Sequence, residues 1–321
     1  MQKRNKKILI TGGAGYIGQN LVSFFLKEKY KIYVIDNLST SDSMNPKLKK
    51  RIHFSKIDLT KENKVKFFFK KKNFDLIIHL AAFSGVQTFN KNVLKSFNNN
   101  VLSTRNLVRY GFNKQKTKLI FSSSAAIYGK VSKDRVNESS DCEPVNYYGL
   151  SKLACESIIK NDLKEKKNNF AILRYFNVVG SSVDFKINKK VYSLFDIISD
   201  NIKRKKFKIN INGNSFNTKD GTPERDFIHI KDLCLIHKKA YEYLKKNKKI
   251  ILNCGSGKRY SVLEIIKEFE RKIKRKFHIT YKLTNPNETH TICANINLLK
   301  NLFKINIESK KINNLIRDYL Y

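Results

Sequence analysis

No run of about 18 apolar residues occurs in the sequence, which excludes a membrane-spanning helix. The longest apolar stretch, Leu76 to Phe83, is interrupted by His79. Near the N-terminus only Ile8-Leu9-Ile10 precedes the glycines, too little for the apolar core of a signal peptide. No C-x-x-C pair occurs, and the five cysteines (Cys142, Cys155, Cys234, Cys254, Cys293) are odd in number. Free thiols in a reducing cytoplasm are therefore expected. The six histidines (His53, His79, His229, His237, His278, His290) lack metal-ligand spacing, so no metal site is expected. Internal repeats and low-complexity linkers are missing too. The 321 residues suffice for one large domain or two modest ones.

Acidic residues are also scarce: 27 Asp and Glu against 65 Lys and Arg, a net charge of +38. Such a charge suits a nucleic-acid or anionic-membrane partner. However, only 12 of the cations are Arg and 53 are Lys, and Asn and Ile stand at 35 each. Lys, Asn and Ile belong to A/T-rich codons, and the lysines are spread along the chain. The charge thus reads as nucleotide bias. Base readout and planar phosphate recognition favour Arg. Neither nucleic acid nor membrane is the expected partner, although the field favours small anionic substrates.

What is present is an alternation of strands and helices. Short apolar runs predict strands at Lys7–Thr11, Lys31–Asp36, Ile52–Ile57, Asp75–Ala81, Leu119–Ser123 and Phe170–Tyr175. Ile17, Leu21, Phe24 and Phe25 share one face of a helix over Tyr16–Lys29. Phe67-Phe68-Phe69 suits a helix packed on the sheet, and Cys155 a core position. The pattern predicts an α/β fold, a Rossmann doubly wound parallel sheet over residues 1–177. A smaller C-terminal α/β substrate domain follows over 178–321, with about 226–254 able to pack back on the first. There Asn210–Thr222 reads as an exposed loop, Ile228–Lys246 and Val262–Lys274 as helices, and Phe277–Lys282 as a strand.

Gly12-Gly13-Ala14-Gly15-Tyr16-Ile17-Gly18 lies between the first strand and the first helix. Glycines at this spacing let a pyrophosphate approach the backbone and rest on unpaired N–H groups at the helix start. Asp36, at the end of the second strand, suits the ribose hydroxyls of NAD and would repel the 2′-phosphate of NADP. NAD is the expected cofactor.

Ser122-Ser123-Ser124 ends a buried strand, and Tyr148-x-x-x-Lys152 opens a helix with phenol and ammonium on one face. A tyrosine with a pKa of about 10 becomes a base at neutral pH only with roughly 4 kcal/mol of differential stabilisation. Lys152 and a bound nicotinamide are the candidate sources, with Ser124 sharing the reacting hydrogen bond.

In these motifs the chain resembles the extended short-chain dehydrogenase/reductases of the NAD-dependent nucleotide-sugar epimerase/dehydratase family. Thr11–Gly18, Asp36-Asn37-Leu38, Phe121–Gly129, Tyr148–Lys152 and Arg174-Tyr175-Phe176-Asn177 match in order and spacing. The run Thr218–His229 is similar to that of the 4-epimerases. The resemblance implies that Gly12, Gly15, Tyr16, Ile17 and Gly18 form the pyrophosphate turn. Asp36 and Asn37 would lie at the adenosine ribose, Asp58 and Leu59 at adenine, and Asn99 and Phe176 along the cofactor. Tyr148 would be the base, Lys152 its activator and a ribose ligand, and Ser124 a contact to the sugar 4-hydroxyl. Asn177 and Arg225 would hold the diphosphate, unless Arg225 simply pairs with Asp226 or Glu224.

The activity implied is 4-epimerisation of UDP-glucose and UDP-galactose through a 4-keto sugar, with UDP-N-acetylglucosamine or another sugar nucleotide as the alternative. A pure NAD- or RNA-binding role fits poorly with an intact Ser124, Tyr148 and Lys152. Ala125-Ala126 stand where related dehydratases carry Asp-Glu, which argues against dehydration. The resemblance also implies a homodimer through helices around Val93–Tyr110 and Leu150–Asn161. Three positions depart from the family pattern: Asn285 replaces a phosphate-binding Arg, Ser84 replaces a Lys, and Ile292-Cys293 replaces an aromatic found in some relatives.

Overall fold

The computed structural model describes residues 6–41, 43–84, 92–112, 117–130, 135–183, 187, 193–283 and 291–320. Its short apolar runs become β1 (Lys7–Thr11), β2 (Lys31–Asp36), β3 (His53–Lys56), β4 (Leu76–His79), β5 (Lys118–Ser124) and β6 (Phe170–Tyr175). With a strand at Lys249–Cys254 they form one seven-stranded sheet. The order is Lys249–Cys254, β6, β5, β4, β1, β2, β3, and every pairing is parallel.

Alternation along each strand divides the core between the two faces. Ile8, Ile10, Leu76, Ile78 and Ile120 pack on one side with Leu21 and Phe25 of the Tyr16–Lys27 helix. Leu9, Ile77, Leu119, Phe121 and Ile172 pack on the other, with Leu107 of the Val93–Gly111 helix and Cys155 and Ile159 of the Tyr147–Glu165 helix. Each fully buried aliphatic side chain contributes about 1.5–3 kcal/mol of transfer free energy. Two-sided burial is why these strands read as unbroken apolar runs.

Strand order reverses between β1 and β4, so the connections leaving their carboxyl ends run to opposite faces of the sheet and leave a crevice. The remaining strands form separate, smaller sheets. A four-stranded sheet joins Asn177–Val179, Glu224–His229, Arg259–Ser261 and Thr291–Ile292, and a separate parallel pair joins Lys208–Asn212 and His278–Lys282. These strands have their own apolar core of Phe195, Phe227, Ile265, Phe269 and Leu315. The helix at Ile230–Tyr243 then returns to the large sheet, where Leu233, Ile236 and Ala240 join the core around Phe25.

Two local expectations need correction. Ile228 and His229 end a strand and do not begin the helix. His229 is the residue before it, and its ring accepts from the Lys231 N–H at 3.2 Å. The exposed loop expected over Asn210–Thr222 starts later, because Asn210–Asn212 belong to a strand that buries Ile209 and Ile211 alternately. Asparagines on the exposed face hid that alternation. In the Phe67–Phe69 run, Phe68 and Phe69 are buried and Phe67 is exposed.

Candidate active site

The glycine turn is shaped by contacts within the chain and by open space. Gly12 has φ of +70°, and a Cβ there would lie 2.7 Å from the Ala81 backbone nitrogen. A Cβ on Gly18 would lie 2.4 Å from the Gly12 carbonyl oxygen. Packing alone therefore explains both. At Gly15, by contrast, the nearest atom to a Cβ is 3.4 Å away. Gly15 lines the cleft and precedes a helix whose first turn holds no acidic side chain. This uncrowded glycine at a helix start fits a pyrophosphate.

Asp36 lies beside that turn. Its carboxylate accepts from the Ala14 N–H at 3.0 Å and the Leu38 N–H at 2.8 Å, one bond on each oxygen. Burial pushes the carboxyl up, opposed by these two amides. Each carboxylate oxygen keeps a further lone pair for a ribose hydroxyl. These free acceptor positions fit the ribose hydroxyls of NAD.

The same cleft is lined by Gly12, Gly15, Tyr16, Ile17 and Gly18, by Asp36 and Asn37, and by Asp58 and Leu59. Asn99, Tyr148, Lys152 and Ser84 complete the predicted residues on its walls. The Tyr16 hydroxyl turns away and donates to the Gly180 carbonyl at 2.6 Å.

The reactive end is built by the helix Tyr147–Glu165, whose first turn is capped by Asn146 accepting from the Gly149 N–H at 2.9 Å. The hydroxyl of the half-buried Tyr148 is hydrogen-bonded to the Ser124 side chain. Lys152 Nζ donates to the Ser122 carbonyl at 2.8 Å and lies 6.0 Å from the Tyr148 ring centroid. Burial pushes Lys152 down to about 8, opposed by Cys155 and Glu156. Lys152 together with a bound nicotinamide is the proposed source that would lower the Tyr148 phenol. Burial raises that phenol, and the Ser124 bond opposes the rise.

Phe176, Asn177 and Arg225 do not line this cleft. Phe176 is buried in the core, and its N–H donates to the Cys254 carbonyl at 3.1 Å. Asn177 and Arg225 lie on neighbouring strands of the smaller sheet, where Asn177 Nδ2 donates to the Asp226 carbonyl at 3.3 Å. Ile292 pairs in register with Arg225, and the buried Cys293 thiol faces Asp226 at 3.8 Å. Asn285 lies outside the described residues.

The cleft also includes Ser39, Thr40, Ala81, Ala82, Ser103 and Tyr175, which the sequence reading missed. A signal existed for some of them. Ser39 and Thr40 follow Asp36 at the carboxyl end of β2, and Ser103 is one helical turn after Asn99. Among the described residues no three His, Cys, Asp or Glu side chains gather as a metal site. No described helix is long and apolar enough to cross a membrane.

A parallel sheet in this order, with a glycine turn and a Ser–Tyr–Lys group at its switch point, defines a dinucleotide-dependent enzyme of the short-chain dehydrogenase/reductase class. More particularly, the chain belongs to the NAD dependent epimerase/dehydratase family, which matches residues 8–255. It is 34% identical to a UDP-glucose 4-epimerase of Dictyostelium discoideum, over 83% of this chain and 81% of that one. It is similar in structure to the UDP-Glc/GlcNAc 4-epimerase of Campylobacter jejuni, at 31% identity and a TM-score of 0.83, with 98% of each chain covered. The UDP-glucose 4-epimerase of Brucella ovis, solved in complex with NAD, superposes with a TM-score of 0.89 at 26% identity, over 98% of this chain and 97% of that one.

Proposed function

We propose that the chain interconverts UDP-glucose and UDP-galactose by NAD-dependent epimerisation at C4. The observation that carries this reading is the Tyr148–Ser124 hydrogen bond, with Lys152 beside it, at one end of the cleft that begins at Gly15. Bound NAD supplies a hydride acceptor at C4 and, on return, the hydride donor. Tyr148 takes the 4-hydroxyl proton as the C4 hydride leaves, and gives it back when the hydride returns to the opposite face. Ser124 orients that proton through its hydroxyl. Lys152 holds positive charge beside the phenol and would bind the nicotinamide ribose. The 4-keto sugar turns over between the two hydride steps, so no net oxidation occurs. Asn177 and Arg225 hold the diphosphate from the smaller sheet.

A second reading, UDP-N-acetylglucosamine 4-epimerisation, is supported by the non-aromatic Ile292 and Cys293 and by the dual name of the Campylobacter relative. Incubation of purified protein with UDP-galactose, without added NAD, tests the first. UDP-glucose of unchanged nucleotide mass is expected; no conversion even with NAD supplied overturns it. The same assay with UDP-N-acetylglucosamine tests the second.

A homodimer through the helices Val93–Gly111 and Tyr147–Glu165 belongs to the same proposal. The two helices carry Leu94 and Leu150 exposed to solvent, at 75% and 43%. Light scattering distinguishes one chain from two. The five free thiols support a cytoplasmic location.

A further inference from the structure

The helix that carries Tyr148 is tied to the serine strand at three successive turns. Tyr148 bonds the Ser124 side chain, and Lys152 Nζ donates to the Ser122 carbonyl at 2.8 Å. Glu156, one turn further, accepts from Ser123 Oγ at 2.6 Å. The first two ties belong to the chemistry already described, and the third does not.

Glu156 is fully buried and fully partnered. Arg174 grips it from β6, with Nε to Oε1 at 3.0 Å and Nη2 to Oε2 at 2.9 Å. Lys160 Nζ adds a bond to Oε2 at 3.1 Å. Burial alone would raise the Glu156 carboxyl, but Arg174 brings it below the usual carboxylate range. Arg174 stands opposite Ser123 in the β5–β6 register. Its Nη1 reaches the Tyr128 hydroxyl at 2.9 Å and the Glu138 carbonyl at 3.0 Å. One bidentate pair thus joins the helix, the serine strand, its neighbour and the turn that follows Ser124.

A buried ion pair is a poor choice for stability alone, since apolar residues of similar volume often serve as well or better. What a bidentate pair adds is a fixed relative orientation. We propose that Glu156 and Arg174 are positioning residues for proton transfer, setting the helix against the serine strand so that Ser124, Tyr148 and Lys152 meet. The proposal rests on the reading of Tyr148 as the base. The pair also sets the charge around Lys152. That ammonium is faced by Tyr148, Cys155 and Glu156 of its own helix, by Phe121 and Ser122 of β5, and by His79 of β4.

The test compares wild type, Glu156→Gln, Arg174→Lys and the apolar double variant Glu156→Leu/Arg174→Met. Each is assayed for retained NAD, thermal midpoint, UDP-galactose turnover against pH, and amide hydrogen exchange. Each variant is expected to lose about 10- to 100-fold in kcat, the scale of a displacement near 1 Å, while KM and NAD content hold. In Glu156→Gln the lost carboxylate and the unpaired guanidinium both disfavour the Lys152 ammonium. The alkaline limb of its pH profile therefore moves to lower pH, which mere loosening of the fold would not cause. The double variant is expected to keep its thermal midpoint and still lose kcat. A double variant with wild-type kcat overturns the proposal, as does a loss confined to KM or NAD content. Failure of wild type on UDP-galactose would count against the functional reading instead. Exchange still decides the positioning role in that event: protection must fall at Ser122–Ser124 and around Lys152, and a wild-type pattern in all variants overturns it.

Discussion

Gly180 and His229 are packed so closely that a Cβ on Gly180 would lie 2.0 Å from His229 Nε2. The glycine also has φ of +88°, a backbone region that disfavours other residues. Its carbonyl accepts from the Tyr16 hydroxyl at 2.6 Å, and its N–H donates to the Tyr319 hydroxyl at 2.7 Å. One residue therefore links the helix at the pyrophosphate turn to the C-terminal segment. Gly180→Ala adds a left-handed backbone to overpacking, for a loss of about 2–6 kcal/mol. A clearly lower thermal midpoint is expected in calorimetry; an unchanged one sinks the argument.

Tyr148→Phe keeps the ring and removes the proton acceptor. Turnover of UDP-galactose is expected to fall by about 10²- to 10⁴-fold, the usual worth of a general base, with NAD retained. Ser124→Ala leaves the phenol in place without its hydrogen bond and should lie between this variant and wild type. Single-turnover reduction of the retained cofactor by substrate separates these steps. Full activity in Tyr148→Phe would end its assignment as the base.

Asp36 sets the cofactor preference through charge and through two amide bonds. Asp36→Asn removes the charge and one of the two oxygen acceptors, so the Ala14 and Leu38 amides cannot both be met as before. Less NAD is expected to copurify, with weaker discrimination against NADP. Chromatography of the nucleotide released on denaturation measures both. Unaltered NAD content and selectivity would remove Asp36 from the binding site.

Much of this architecture was legible because two-sided burial leaves continuous apolar strands and because the glycine turn, Asp36 and Tyr148–Lys152 lie on local motifs. Other features depend on distant residues meeting. Arg174 and Glu156 pair across a strand and a helix, and nothing in either neighbourhood announces the contact. Tyr175 lines the cleft because β6 ends there, and its hydroxyl is bonded to His237, 62 residues away. Phe176, next to Tyr175 in sequence, is packed in the same apolar cluster.

Acid should weaken the fold through two buried histidines. His79 Nδ1 and Nε2 bond the hydroxyls of Thr11 and Thr104 at 2.7 and 3.0 Å. Burial, with Lys152 adding to it, pushes His79 down to about 3, and burial pushes His237 down to about 4. The unfolded chain takes up these protons near 6.5, whereas the folded chain does not. Their contribution is therefore complete above 6.5 and is lost as pH falls toward the folded values. Asp36 and Asp226, raised by burial, oppose this only near the carboxylate range. The thermal midpoint should decline from pH 6.5 downward, and His79→Gln should flatten the slope. A midpoint constant over that window contradicts the account.

Arg225 is the proposed diphosphate ligand of the smaller sheet, and substitution tests it. The Glu224 carboxylate is met by Arg259 at 3.1 Å. Asp226 accepts from the amides of Ser256, Gly257 and Ala294 at 2.7, 3.0 and 3.0 Å. Arg225 Nη1 donates to the Glu224 backbone carbonyl at 2.9 Å. Arg225→Met removes a charge-assisted bond worth about 1.5–3 kcal/mol, so KM for UDP-galactose is expected to rise by about one to two orders of magnitude. The proton-transfer group at Tyr148 is untouched, and kcat should change little. Arg225→Lys keeps the charge but loses the planar fork, and its KM should fall between the two. An unchanged KM with a lowered thermal midpoint would show that Arg225 serves the smaller sheet and not the substrate.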